Sequence, residues 1–162
     1  MKLEPGKSKV FIVLHNIRSV YNVGSIFRTA DCLGITDILL VGVTPTPVDR
    51  FWRARKDFAK VSLGAERTIC WKYFRQWCQA LKFLKSQGAQ LIAIEQAPLA
   101  LDYRKVKPRY PTAFIFGNEV RGIPARILKQ CDIVAEIPMR GCKESLNVSV
   151  AAGIALARML NC

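Results

Sequence analysis

Apolar residues along the chain fall into short runs with two different rhythms. "VFIVL" at 10–14 is a dense, β-branched run suited to a buried strand, and "DILLVG" at 37–42, "QLIAIE" at 90–95, "TAFIFG" at 112–117 and "DIVAEIP" at 132–138 repeat that texture. Between these runs the spacing turns helical. From Asn22 onward Val23, Ile26, Phe27 and Ala30 recur on one face until Gly34, and Trp77, Leu81 and Leu84 do the same from about Arg75 to Gln87, ahead of Gly88. Pro124 sits where a helix through "ARILKQ" would start, and a last helix is expected from near Ser145 to near Leu160. "VTPTPVDRFWRARKDFAK" reads as a loop leading into a short helix that ends near Gly64, "RTICWKYF" as a further short strand, and "APLALDYRKVKPRYP" as a long loop. Strands that alternate with helices predict an α/β fold, a mostly parallel sheet with helices on both faces. With no repeat, low-complexity tract or linker, residues 1–162 are expected to form a single domain, without a separate second one.

Charge changes this picture more than composition does. The chain carries 25 Lys and Arg against 12 Asp and Glu, a net charge of +13, on an ordinary globular background of 51% hydrophobic residues. A field of that sign attracts polyanions, and nucleic acid is the commonest one a soluble domain meets. No segment approaches the roughly 18 consecutive apolar residues of a membrane span, and "MKLEPGKSKV" lacks the apolar stretch of a signal peptide, so a cytoplasmic protein without a membrane partner is expected. Six cysteines without a C-x-x-C pair and a single histidine, His15, argue against a metal site and for reduced thiols.

In parallel sheets ligands bind beyond the carboxyl ends of the strands, and three loops there are polar in an organised way. "NVGSIFRTAD" at 22–31 offers Asn22, Ser25 and Arg28 around Gly24, although an Asn cap followed by a surface arginine would also account for it. "FIFGNEVRGIP" at 114–124 brackets Glu119 and Arg121 between Gly117 and Gly122, which lets a flat ligand approach the backbone but equally suits a tight turn. In "EIPMRGCKESLNVSV" at 136–150, Ser145 can cap the last helix, while Gly141, Lys143 and Asn147 are left without a capping role.

Together and in this order, "NVGSIFRTAD", "FIFGNEVRGIP" and "IPMRGCKESLNVSVAAGIAL" resemble the three signature motifs of the SpoU/TrmH branch of the SPOUT superfamily, RNA ribose 2′-O-methyltransferases that use S-adenosylmethionine. The resemblance runs through the chain from about Val10. It implies a C-terminal deep trefoil knot (the SPOUT fold) and a homodimer with the active site at the interface. By the same resemblance Gly117, Asn118 and Gly122 line one side of the cofactor site and Ile137, Met139 and Leu146 the other, with no metal. The catalytic pattern maps onto Asn22, Arg28, Glu119, Ser145 and Asn147, with Arg28 steadying the developing alkoxide and gripping a phosphate, Glu119 positioning Arg28 or Asn22 across the interface, and Ser145 and Asn147 holding the ribose.

RNA contact has its own support in "RFWRARKDFAK", where Arg50, Arg53, Arg55, Lys56 and Lys60 interleave with Phe51, Trp52 and Phe58. Bases grip phosphate and aromatic rings stack on unpaired bases, unless the rings belong to the core. A compact basic dimer suits tRNA better than rRNA. The alternative is a non-catalytic RNA-binding protein that kept the fold; a dehydrogenase is disfavoured because no Gly-x-Gly-x-x-Gly follows the first strand.

Overall fold

The structure is a computed structural model that describes residues 9–162, so the first eight residues of the N-terminal segment read above lie outside the described residues. The described residues form seven strands and six α-helices: β1 (Val10–His15), α1 (Val20–Cys32), β2 (Asp37–Val41), α2 (Lys56–Ser62), α3 (Ala65–Thr68), β3 (Cys70–Phe74), α4 (Trp77–Ser86), β4 (Gln90–Ile94), β5 (Leu101–Asp102), β6 (Thr112–Phe116), α5 (Ala125–Leu128), β7 (Ile133–Glu136) and α6 (Val148–Leu160). They form one sheet in the order β3-β2-β1-β6-β4-β7-β5, and every pairing is parallel. The two-residue period of the strands sends alternate side chains to opposite faces. Ile12, Leu14, Ile38 and Phe114 pack under α1, α2 and α6, whereas Phe11, Val13, Leu39 and Ile115 pack under α4 and α5. Phe27 of α1 meets Phe58 of α2 edge to face at 5.1 Å, which fixes those two helices to one another.

Three expectations shift. α1 begins at Val20 because Ser19, not Asn22, is its cap: the Ser19 hydroxyl accepts from the Asn22 N–H at 3.2 Å. α6 is capped by Asn147 and not by Ser145, the side-chain Oδ1 of Asn147 accepting from the Ser149 N–H at 2.9 Å. The segment 97–111 is not all loop. Leu101 and Asp102 add β5 beside β7, and Asp102 then accepts from the Arg104 N–H to start a 3-10 turn at Tyr103–Lys105.

Because the sheet is wholly parallel, the loops after β1, β2, β4, β6 and β7 all leave from the same edge. That geometry brings together segments about a hundred residues apart.

Candidate active site

Beyond the ends of β4, β6 and β7 lies a cleft of about 430 Å³. One wall is the turn that follows β6, and its glycines are required there. A Cβ on Gly117 would stand 2.5 Å from the carbonyl carbon of Gly122, and one on Gly122, whose φ is +62°, would stand 2.4 Å from Glu95 Oε2. Asn118 holds the turn from inside. Its Oδ1 accepts from the N–H groups of Val120 (3.0 Å) and Arg121 (2.9 Å), and its Nδ2 donates to the Asn16 carbonyl at 2.8 Å. The opposite wall is Ile137, Met139 and Leu146, so all six residues expected at the cofactor border the one cleft.

Three of the expected catalytic residues join in a single chain of hydrogen bonds. Glu119 accepts from the Arg18 N–H through Oε2 (3.1 Å) and through Oε1 from the Ser19 N–H (3.1 Å) and Asn22 Nδ2 (3.0 Å). Asn22 Oδ1 in turn accepts from Asn147 Nδ2 at 3.1 Å, while Asn147 Oδ1 accepts from the Ser149 N–H and hydroxyl. Loss of hydration raises the Glu119 pKa, but the bonds from Arg18, Asn22 and Ser19 outweigh it and hold the carboxyl below its usual value. Ser145 opens onto the cleft beside Asn147.

Arg28 stands apart. It is exposed on α1 and borders a different groove, with Tyr21, Ser25, Lys60 and Gly153. It lies six positions beyond Asn22, about 9 Å along the axis and on another face. Of the two partners expected for Glu119, Asn22 is bonded to it within the same chain and Arg28 is not.

Sequence reasoning passed over Glu95 and Gln96 at the end of β4. Glu95 Oε2 accepts from the Ile123 N–H at 2.7 Å and fills the space that Gly122 leaves, and Gln96 Nε2 donates to the Glu144 carbonyl at 2.7 Å, tying down the 138–147 segment. An acid ending an apolar strand, at the edge where ligands bind, was the available signal.

The basic segment divides. Phe58 is wholly buried, whereas Phe51 and Trp52 are 59% and 79% exposed, so only the latter two are free to meet a ligand. Arg53 pairs with Asp49 at 2.7 Å and Arg55 with Asp57 at 2.6 Å; Arg50, Lys56 and Lys60 are exposed around them.

Residues of all three motifs thus meet at the carboxyl edge of one wholly parallel sheet, around a glycine-walled cleft and an amide relay. The chain belongs to the SpoU rRNA methylase family, whose model matches residues 9–157. It is 30% identical over 156 residues to a putative TrmH family tRNA/rRNA methyltransferase, YacO, of Bacillus subtilis, aligning with 93% of this chain but 58% of that protein. A tRNA (guanosine(18)-2′-O)-methyltransferase of Thermus thermophilus is 32% identical over 148 residues, covering 90% of this chain and 71% of that one. The crystal structure of an AdoMet-bound rRNA methyltransferase from Sinorhizobium meliloti superposes with a TM-score of 0.87 at 27% identity, over 98% of this chain and 58% of that one.

Proposed function

We propose that the protein transfers a methyl group from S-adenosylmethionine to a ribose 2′-hydroxyl of RNA, tRNA in preference to rRNA, as a cytoplasmic homodimer whose active site is completed at the interface. The observation that carries this reading is the Glu119–Asn22–Asn147 relay at the mouth of the glycine-walled cleft. RNA affinity alone requires neither.

The residues present fit the cofactor. Gly117 and Gly122 leave bare backbone for a flat ring to approach, and Ile137, Met139 and Leu146 offer the apolar cover that an adenine and a thioether take. Bound there, S-adenosylmethionine supplies an electrophilic methyl carbon on a sulfonium. The chain's own residues do the rest. A ribose hydroxyl attacks only as its proton leaves and its oxygen gains charge, so donors aimed at that oxygen lower the barrier. Asn22 and Asn147 are held in fixed orientation beside the cleft, and Ser145 offers a hydroxyl to the ribose.

Arg28 serves in the site that a second copy completes. Its groove runs beside Tyr21, and Val150 and Ile154 are exposed on α6, an apolar margin suited to a second subunit. A guanidinium keeps its proton, so Arg28 steadies the alkoxide and grips the neighbouring phosphate, and is not the base. The reading includes the family's trefoil knot. It is supported by β7 inserting between β4 and β5, both earlier in the chain, before α6 returns to pack beside α1.

The test is transfer of labelled methyl from S-adenosylmethionine into unmodified tRNA and rRNA pools, with the product nucleosides separated by mass spectrometry. A 2′-O-methylnucleoside, formed at least about a hundredfold more slowly by Arg28→Ala while S-adenosylhomocysteine still binds, is the expected result. Absence of S-adenosylhomocysteine binding with RNA affinity intact would instead identify a non-catalytic RNA-binding protein.

A further inference from the structure

A second concavity, about 860 Å³, lies between the loop after β2 and the edge strand β3, and the cofactor cleft does not include it. Its walls are aromatic: Phe51 and Trp52 on the loop, Trp71 and Tyr73 on the strand. Its rim carries Arg50, Arg53 and Arg55.

The loop tip is built to hold its rings out. Val48 pairs with Ala54 as an antiparallel bridge, and Asp49 Oδ1 accepts from the N–H groups of Phe51 (2.8 Å) and Arg53 (3.0 Å), so the tip is closed by its own bonds. Within that closed tip Trp52 adopts a φ of +61°, a left-handed backbone that a bulky side chain rarely takes, and its indole is 79% exposed. Outliers of this kind gather where a fold positions a side chain for use. The guanidinium groups of Arg50 and Arg53 stand over the Phe51 ring, 4.7 and 5.0 Å from its centroid. On the other wall Tyr73 is pinned by its hydroxyl, which donates to the Gly42 carbonyl at 2.8 Å.

We propose that this groove binds an unpaired stretch of RNA, its bases stacked on Trp52 and the neighbouring rings and its phosphates held by Arg50. The substrate is thereby read as a single-stranded loop and not as a duplex. This deepens the RNA reading above and rests on it for the identity of the polyanion. Charge selects the occupant: a second copy of a chain with net charge +13 would set arginines against arginines, whereas a nucleic-acid strand matches both rings and rim. Aromatic platforms ringed by bases accept single strands without strong sequence preference, because every base has a face to stack.

The experiment is fluorescence anisotropy of a labelled oligouridylate and of a blunt RNA duplex of equal length, over a range of salt, with isothermal titration of S-adenosylhomocysteine in parallel. Trp52→Ala should weaken the single strand by about 5- to 150-fold and leave the duplex, the salt slope and S-adenosylhomocysteine affinity unchanged. Trp52→Phe should restore most of the loss, and Arg50→Ala should flatten the salt slope by about one contact. Unchanged single-strand affinity in Trp52→Ala, or equal losses for strand and duplex, would overturn the groove assignment even if methyl transfer to tRNA proceeds. A wild-type protein that binds neither RNA and transfers no methyl group would overturn the RNA reading itself.

Discussion

Glu119→Ala should detach the turn after β6 from the start of α1. The carboxylate accepts three bonds of 3.0–3.1 Å, from the N–H groups of Arg18 and Ser19 and from Asn22, across about a hundred residues of sequence. It also lies at the positive end of the α1 dipole, so its charge and its geometry act together. Bonds to an ionised group contribute about 1.5–3 kcal/mol each when shielded from water. This carboxylate borders solvent, which recovers much of that, leaving about 2 kcal/mol for the set. With a urea dependence of about 1–3 kcal/mol per molar, the unfolding midpoint should drop by about 1 M. The pH dependence supplies the sharper check. A native pKa below the ordinary 4.5 means that the unfolded chain binds the proton more readily, so the stabilisation is complete above that value and is lost as pH falls through the native pKa. Urea titrations followed by circular dichroism at about pH 7 and about pH 3 should therefore show a wild-type advantage over Glu119→Ala that is larger at the higher pH. An equal deficit at both would show that the side chain acts by packing, and no deficit at all would refute the role.

Three further outcomes follow from the geometry. Gly117→Ala places a methyl 2.5 Å from backbone that cannot rotate away, so overpacking of about 1–3 kcal/mol should open the turn and cost at least about fivefold in S-adenosylhomocysteine affinity by calorimetry; tight binding with the fold intact would contradict the cleft assignment. His15 is 4% exposed with Nδ1 unpartnered, and burial, then the charge of Arg126, depresses its pKa. Its neutral form is stabilising in full above about pH 6.5, and stability should fall as pH drops below that, by up to about 1.4 kcal/mol per unit, a slope that His15→Phe should flatten in thermal melts. Ile154→Arg, on the exposed margin of α6, should convert a sedimenting dimer to monomer and abolish methyl transfer, whereas a wild type that is already monomeric at micromolar concentration would count against a shared site.

The strands were legible because burial on both faces demands unbroken apolar runs, and five of the seven stand out that way in the sequence. β5 was not, since two residues, Leu101 and Asp102, carry no period at all and are fixed by their partner β7. Helix starts moved for a related reason. Ser145 and Asn147 are both good caps, and Ser19 and Asn22 likewise, so local preference cannot choose between them. Tertiary bonds choose: Asn22 is claimed by Glu119, and Asn147 both caps α6 and reaches Asn22. The same limit applies to "RFWRARKDFAK". Phe58 falls inside α2 and is buried against Phe27, while Phe51 and Trp52 fall in a tip closed by Asp49, and nothing in the spacing separates the two fates.

The relay at the cleft shows what the separate motifs share physically. Glu119 is anionic and presents only acceptors, so Asn22 must turn its amide nitrogen toward it and its carbonyl oxygen away. That oxygen can be satisfied only by a donor, which fixes Asn147 with its nitrogen toward Asn22 and its own oxygen toward the Ser149 N–H that needs a cap. One charge after β6 therefore sets two amide orientations and the start of a helix, on three segments the chain visits far apart. Glu119→Gln, which can present a donor to Asn22, would release that choice while keeping the shape. The polar residues at 22, 119 and 147 thus constrain one another through donor and acceptor direction, a relation that spacing along the chain does not encode and that the parallel sheet creates by bringing its loops to one edge.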